Sequence, residues 1–250
     1  MDAVLETRSL CKSFGALTVA QNIDFRLRPG DRHALIGPNG AGKTTFVNML
    51  MGALRPSSGR ILLGGDDVTR APQAQRVKRG LGRTFQINSL FRNLPVLDNV
   101  ALAVAERRGI APRMWRAAGS YKETKDESTQ LLATLGLADD LTMPIIDLPY
   151  GKQRLVEIAI ALGLRPRVLL LDEPAAGVPS GETATIVDLI ERLPSEISVL
   201  IIEHDMELVF RLARRITVLV QGSVLVEGTP REIADDPRVR QVYLGERRHA

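Results

Sequence analysis

Gly37-Pro38-Asn39-Gly40-Ala41-Gly42-Lys43-Thr44 decides the fold, because it fits the pattern G-x-x-x-x-G-K-[ST] in full. Its flanks agree with it. His33-Ala34-Leu35-Ile36 is a short apolar run of strand character, and residues 45–54 carry Phe46, Met49, Leu50 and Leu54 at helical spacing. A strand, a glycine loop and a helix in that order make a phosphate cradle. The glycines let the backbone wrap closely, and successive N–H groups turn inward at the positive end of the helix. Lys43 is then expected to reach the β- and γ-phosphates of a nucleoside triphosphate, and the Thr44 hydroxyl to take a place on Mg2+. The nucleotide-holding set expected here is Gly37, Pro38, Asn39, Gly40, Ala41, Gly42, Lys43, Thr44 and Thr45.

Working outward, residues 20–29 alternate loosely and end at the turn cluster Pro29-Gly30-Asp31. From Gly151 onward the pattern reads helix (153–164), strand (168–171), helix (181–193), strand (199–202) and helix (206–213). The strands are continuous apolar runs without alternation, as parallel strands buried on both faces should be. Strands alternating with helices predict a three-layer α/β sheet. Residues 216–228 read as a hairpin turning at Gln221-Gly222. In between, residues 96–106 and 128–137 read as helices. They are joined by a basic stretch, 107–125, that holds the only tryptophan, Trp115. That stretch is either a loop whose tryptophan covers a local hydrophobic cluster or a contact for a partner or membrane surface. The mainly helical segment of about 87–155 interrupts the α/β part. The expectation is one domain over 1–250, with 1–86 and about 156–250 as core and 87–155 as an inserted helical subdomain.

The 250 residues are 44% hydrophobic and 25% charged, which supports a sizeable core and excludes a disordered chain. Aromatics are only 4%, so leucine, isoleucine and valine must build that core. Cys11 stands alone, which excludes an internal disulfide and suits a reducing compartment. The densest apolar runs fall far short of the ~18–20 residues a membrane-crossing helix needs. The N-terminus lacks a basic region followed by an apolar stretch, so a cytoplasmic protein is expected. The net charge of +4 permits a nucleic acid or an anionic membrane face as partner but argues for neither.

A second chemical signal is Arg167-Val168-Leu169-Leu170-Leu171-Asp172-Glu173, four apolar residues and then two carboxylates at a strand end. At the carboxyl edge of a parallel strand, Asp172 suits Mg2+ opposite Thr44, through water. Glu173, one residue on, is placed to polarise an attacking water as general base.

With these residues in place, the chain resembles the ATP-binding subunits of ABC transporters over nearly its whole length. Arg83-Thr84-Phe85-Gln86 looks like the family's Q-loop, and Leu148-Pro149-Tyr150-Gly151-Lys152-Gln153-Arg154 lies where its signature motif lies. Ile201-Ile202-Glu203-His204-Asp205 follows the acidic pair as the family's switch histidine does. The resemblance implies an α/β fold: a P-loop NTPase three-layer core with an inserted helical subdomain and an N-terminal antiparallel β part. It also implies roles. Gln86 would touch the Mg2+ or water shell and report nucleotide state, His204 would contact the γ-phosphate, and Phe14 would stack on adenine. Two such subunits would sandwich ATP, with Gly151 of one facing the phosphate loop of the other. Leu90-Phe91-Arg92-Asn93-Leu94-Pro95-Val96 lies where the family forms its groove for a permease; Phe91 and Leu94 themselves read equally well as groove or as core.

Two departures stand out. The family's signature is usually Leu-Ser-Gly-Gly-Gln, whereas this chain has Pro149, Tyr150 and Lys152 at the serine, first glycine and glutamine positions. Proline supplies neither a hydroxyl nor an N–H, so one donor is absent. The D-loop usually ends in aspartate, but here it reads Ala176-Gly177-Val178-Pro179. Tyr150-Gly151, the run from Asp172 to Gly177, the run from Ile202 to Met206 and the ending Val242-Tyr243-Leu244-Gly245-Glu246 resemble the branch serving branched-chain amino acid importers. That branch implies two permeases, a second ATP-binding subunit, an extracytoplasmic solute-binding protein and a place on the inner face of the membrane, with no nucleic acid partner. Urea or another small amide is an alternative cargo, and a soluble ATPase acting on nucleic acid or ribosomes is an alternative class.

Overall fold

Strand β3 (Arg32–Ile36) is buried along its whole length, and its two faces serve two different cores. Leu35 belongs to the first, together with Leu5, Ile23, Phe25 and Phe46. Ala34 and Ile36 belong to the second, with Val209, Ile216, Val218 and Ile233. This is the double burial that continuous apolar runs without alternation signal. The computed structural model of the chain describes residues 2–84, 90–110 and 118–246. These form two compact units, one from Met1–Leu81, Arg167–Glu173 and Pro194–Ala250, the other from Gly82–Pro166 and Pro174–Leu193.

In the first unit, β1 (Leu5–Phe14), β2 (Leu17–Leu27), β4 (Ser58–Leu63) and β5 (Asp66–Asp67) make an antiparallel sheet in the order β2-β1-β4-β5. The second sheet contains β3 with β6 (Leu81–Arg83), β7 (Val168–Asp172), β8 (Ser198–Ile202), β9 (Arg215–Val220) and β10 (Ser223–Gly228). Its order is β10-β9-β3-β8-β7-β6. β3 runs parallel to both β8 and β9, β7 runs parallel to β8, and β10 returns antiparallel to β9. The hairpin turns at Gln221 and Gly222, both at positive φ (47° and 79°), which matches the right-handed twist of its strands.

Helix α1 (Lys43–Met51) buries Phe46, Val47, Met49, Leu50 and Met51 in the first core. Phe25 meets Phe46 edge-on at 5.7 Å. Each such side chain taken from water contributes about 1.5–3 kcal/mol. The carboxyl end of α1 is closed by a cation. Arg76, in α2 (Gln73–Lys78), is 1% exposed, and its guanidinium donates to the carbonyls of Met49 (2.6 Å), Leu50 (2.6 Å), Thr69 (3.0 Å) and Ala71 (3.0 Å). It thereby satisfies carbonyls that a helix end leaves open, and burial pushes its pKa down to about 10. Behind the second core lie α7 (Met206–Leu212), α8 (Pro230–Asp235) and α9 (Pro237–Glu246), contributing Val209, Ile233 and Val239.

The second unit is helical, with α3 (Val96–Arg107), α4 (Ala118–Thr134), α5 (Tyr150–Gly163) and α6 (Ser180–Glu191). It takes in Gly82–Pro166 and Pro174–Leu193, with α5 packed on α3 and α6 packed on α5. α4 starts ten residues ahead of the expected 128–137, in a polar stretch with no apolar period to announce it. Trp115 lies outside the described residues. Buried Asn99 organises the loop before α3: its Nδ2 donates to the carbonyls of Phe91, Leu94 and Pro95, and its Oδ1 accepts the Phe91 N–H. That loop turns Phe91 and Leu94 outward, 59% and 38% exposed, beside Met143 and Ile146, so they form surface rather than core.

Candidate functional site

Three parallel strands bring the chemistry together. Leu35 of β3 pairs with Ile202 of β8, which pairs with Asp172 of β7. The glycine loop after β3, the carboxylates at the end of β7 and the histidine after β8 therefore leave the same carboxyl edge of one sheet. That edge is where ligands bind in open α/β folds.

Steric closeness holds the loop in shape. A Cβ at Gly37 would collide with the Leu219 carbonyl oxygen, and one at Gly42, at φ +99°, would come within 2.7 Å of the Val19 carbonyl oxygen. Backbone bonds fasten the loop to its neighbours: the Gly222 N–H donates to the Ala41 carbonyl (3.0 Å), and the Gln21 N–H donates to the Gly222 carbonyl (2.8 Å). Lys43 Nζ arches back over the loop, donating to the Gly37 and Pro38 carbonyls at 2.6 and 3.1 Å. Asn39, Gly40 and Thr44 are exposed, Pro38 and Thr45 are half-buried, and Gly37, Ala41 and Gly42 are buried.

Glu173 stands in a strained backbone conformation, φ +46°, fixed by its N–H donating to the Ile202 carbonyl (2.8 Å). Its carboxylate Oε1 lies 3.3 Å from His204 Nδ1, and about half of that side chain remains open to solvent. Asp172 is half-buried just before it. A threonine hydroxyl and a carboxylate are hard oxygen donors of the kind Mg2+ takes, so Thr44 and Asp172 fit that ion. Phe14 closes β1 with its ring half exposed, and Lys12 Nζ sits 4.7 Å from the ring centroid. Gln86 lies outside the described residues.

Gly151 belongs to the second unit, at the first turn of α5, with Pro149 at its N-cap. A Cβ there would collide with the Glu182 carboxylate, so no larger residue fits without displacing it. Lys152 donates to both oxygens of buried Asp140 (2.9 and 2.7 Å). Arg154 pairs with Glu157 (2.8 Å), whose burial pushes its pKa up to about 7, and donates to the Ala176 carbonyl (3.3 Å). Arg154 thus ties α5 to the turn that carries the departed D-loop motif.

Glu203 was not singled out by its sequence position. It is 3% exposed at the end of β8, and its Oε2 accepts the N–H of His204 (2.9 Å) and of Asp205 (3.3 Å). Burial raises its pKa while those amides pull it down. An acid directly after the apolar run Val199-Leu200-Ile201-Ile202 was the available signal.

A family model described as ABC transporter matches residues 20–176, and one described as branched-chain amino acid ATP-binding cassette transporter matches 223–249. The chain is 37% identical to the high-affinity branched-chain amino acid transport ATP-binding protein BraF of Pseudomonas aeruginosa, with 97% of this chain and 98% of that one covered. LivG of Escherichia coli, similarly named, is 37% identical over the same shares. The lipopolysaccharide export system ATP-binding protein LptB of Acidithiobacillus ferridurans is 39% identical, covering 98% of each. Among solved structures, an ATP-binding cassette of an ABC transporter in its ADP conformation superposes with a TM-score of 0.85 at 28% identity, covering 98% of this chain and 100% of that one. A nucleotide-free cassette gives 0.84 at 27% identity, covering 96% and 98%. A nucleotide-binding edge of this geometry and these likenesses agree, and the chain belongs to the ABC transporter family as an ATP-binding subunit that hydrolyses ATP to drive transport.

Proposed function

We propose that this chain powers an importer of branched-chain or related amino acids. The observation that carries the reading is the match of residues 223–249 to the branched-chain amino acid cassette model. The likeness to a lipopolysaccharide export subunit, 39% identical over 98% of each chain, favours a rival cargo, and the test below separates the two. In this reading the chain sits at the cytoplasmic face of the membrane, bound to permease subunits and paired with a second ATP-binding subunit. A solute-binding protein outside the membrane delivers the cargo. Among the described residues no helix is long and apolar enough to cross a membrane. The exposed group Phe91, Leu94, Met143 and Ile146 supports a permease contact.

Adenine stacks on Phe14, and the loop amides and Lys43 hold the β- and γ-phosphates. Thr44 and Asp172 would hold Mg2+, which would offset the negative charge of the triphosphate. Glu173 takes a proton from the attacking water as its oxygen bonds to the γ-phosphorus. The bond to the bridging oxygen then breaks, and ADP and phosphate leave. His204 steadies the γ-phosphate, and Gln86 reports its loss. Gly151 presents the N-terminus of α5 to the nucleotide on a second subunit. Pro149 leaves that composite site one donor short, which suits a pair of unlike subunits in which only one site is complete.

The test is purification of the tagged chain from detergent-solubilised membranes, with bound proteins identified by mass spectrometry. Two polytopic permeases and a second ATP-binding subunit support the reading, and their binding protein is then titrated with leucine, isoleucine, valine and urea. A lipopolysaccharide-export membrane partner, or ribosomal and nucleic-acid partners alone, would overturn it.

A further inference from the structure

The loop that carries His204 is tied down on both sides of the histidine. After it, Asp205 caps α7, its Oδ1 accepting the N–H of Glu207 (2.9 Å) and of Leu208 (3.4 Å). Before it, the Glu203 carboxylate turns back under the chain and accepts the His204 and Asp205 amides on one oxygen. That oxygen also lies 3.7 Å from His204 Nδ1, the nitrogen that Glu173 Oε1 approaches at 3.3 Å. The His204 ring itself is two-thirds exposed, so packing does little to hold it. What orients the ring is the backbone beneath it and the carboxylates beside Nδ1, leaving Nε2 for a phosphate oxygen.

Nothing in the first core calls for an acid at position 203. The strand before it, Ser198–Ile202, is buried throughout, and a buried carboxylate is costly unless its hydrogen bonds are made. Here the bonds are made to two successive amides, which fixes the backbone direction at the residue whose ring faces Glu173.

We propose that Glu203 is the positioning residue of the switch histidine, clamping the His204 and Asp205 amides so that the His204 ring stays against Glu173. The proposal rests on reading Glu173 as base and His204 as the γ-phosphate contact. Glu203 does not itself meet the nucleotide, and its effect passes through the ring.

Reach and charge can be separated by two conservative changes. Glu203→Gln keeps an oxygen at the same distance and removes the charge. Glu203→Asp keeps the charge and withdraws the oxygen by one carbon–carbon bond, about 1.5 Å. ATP hydrolysis is measured on the full chain with the partners it co-purifies with. The expected result is a Glu203→Gln kcat within about 3-fold of the parent, and a Glu203→Asp kcat lowered about 10-fold or more with KM for ATP changed less than about 3-fold. In a His204→Ala background, Glu203→Asp should cost less than about 3-fold further, because residues acting through one another are not additive. Parent-like turnover in Glu203→Asp, equal damage in Glu203→Gln, or a full second loss in the His204→Ala background would each overturn the clamp. His204→Ala with unimpaired turnover would instead overturn the underlying reading of the site, and the clamp with it.

Discussion

His33 lies on β3 four residues before the glycine loop, fully buried, with its ring 4.8 Å from that of Phe25. Nε2 is 2.8 Å from the Thr217 hydroxyl, and Nδ1 has no hydrogen-bond partner among the described residues. Burial is the main reason its pKa falls from 6.5 to about 4; Arg215 lowers it further, while Glu227 and Asp31 pull it back up. Between those two values the unfolded chain binds a proton that the folded chain refuses, so stability falls as pH drops from 6.5 to about 4 and this contribution then levels off. The loss at pH 4 is RT ln of the ratio of the two binding polynomials, on the order of 3 kcal/mol, with about half of it already gone at pH 5.4. Carboxylates titrate in the same window, so the measurement is a difference. Urea unfolding is followed for the parent and for His33→Leu at pH 7.5, 6.5, 5.4 and 4.0. The variant carries its own packing change, but that change is independent of pH. The gap between the two proteins should move by about 3 kcal/mol in favour of the variant across the series. A gap constant to within about 0.5 kcal/mol would refute the argument, because the ring would then be as ready to take a proton folded as unfolded.

Three further outcomes are expected. Glu173→Gln should retain ATP binding and lose turnover by about 100-fold or more, the usual worth of a general base; near-parent turnover would show that another group takes the proton. Gly37→Ala forces a methyl into the Leu219 carbonyl, whereas Gly40→Ala meets no atom within 4 Å and bears only its positive φ. ATP affinity by calorimetry should therefore fall about 10-fold or more in the first and much less in the second, and equal losses would dissolve the steric account. Arg76→Met leaves four carbonyls without their shared donor, and the chain should lose about 2–4 kcal/mol to urea; a variant as stable as the parent would mean that those carbonyls find other donors.

What could be read in advance was whatever local chemistry dictates. Val168-Leu169-Leu170-Leu171 is apolar at every position, and only a strand covered on both faces tolerates that in water; the structure buries all four. Gln221-Gly222 forms the hairpin turn because Gly222, at φ 79°, takes the left-handed region without a side-chain penalty. The glycine loop is legible because its small residues serve close approach within and around the loop itself. What escaped depends on partners far away in the chain. Arg76 looks like one more basic surface residue until Met49, Leu50, Thr69 and Ala71 turn their carbonyls to it.

The signature region makes the same point in the opposite direction. Lys152, in place of the family's usual glutamine, looks like a lapse in the sequence, yet Asp140, 5% exposed, is an acid that requires a cation, and Lys152 supplies it. Tyr150 follows the same logic: its hydroxyl fills the space where Gly177, at φ +74°, has no side chain, and Arg154 lies 5.5 Å from its ring centroid while holding the Ala176 carbonyl. The altered signature and the altered D-loop are therefore one packed arrangement. Restoring position 150 or 152 alone to the usual residue removes a contact the rest has been shaped around. Serine at 149 would add a hydroxyl, but Tyr150, Lys152 and Arg154 would still keep α5 and the 174–179 turn in their present register.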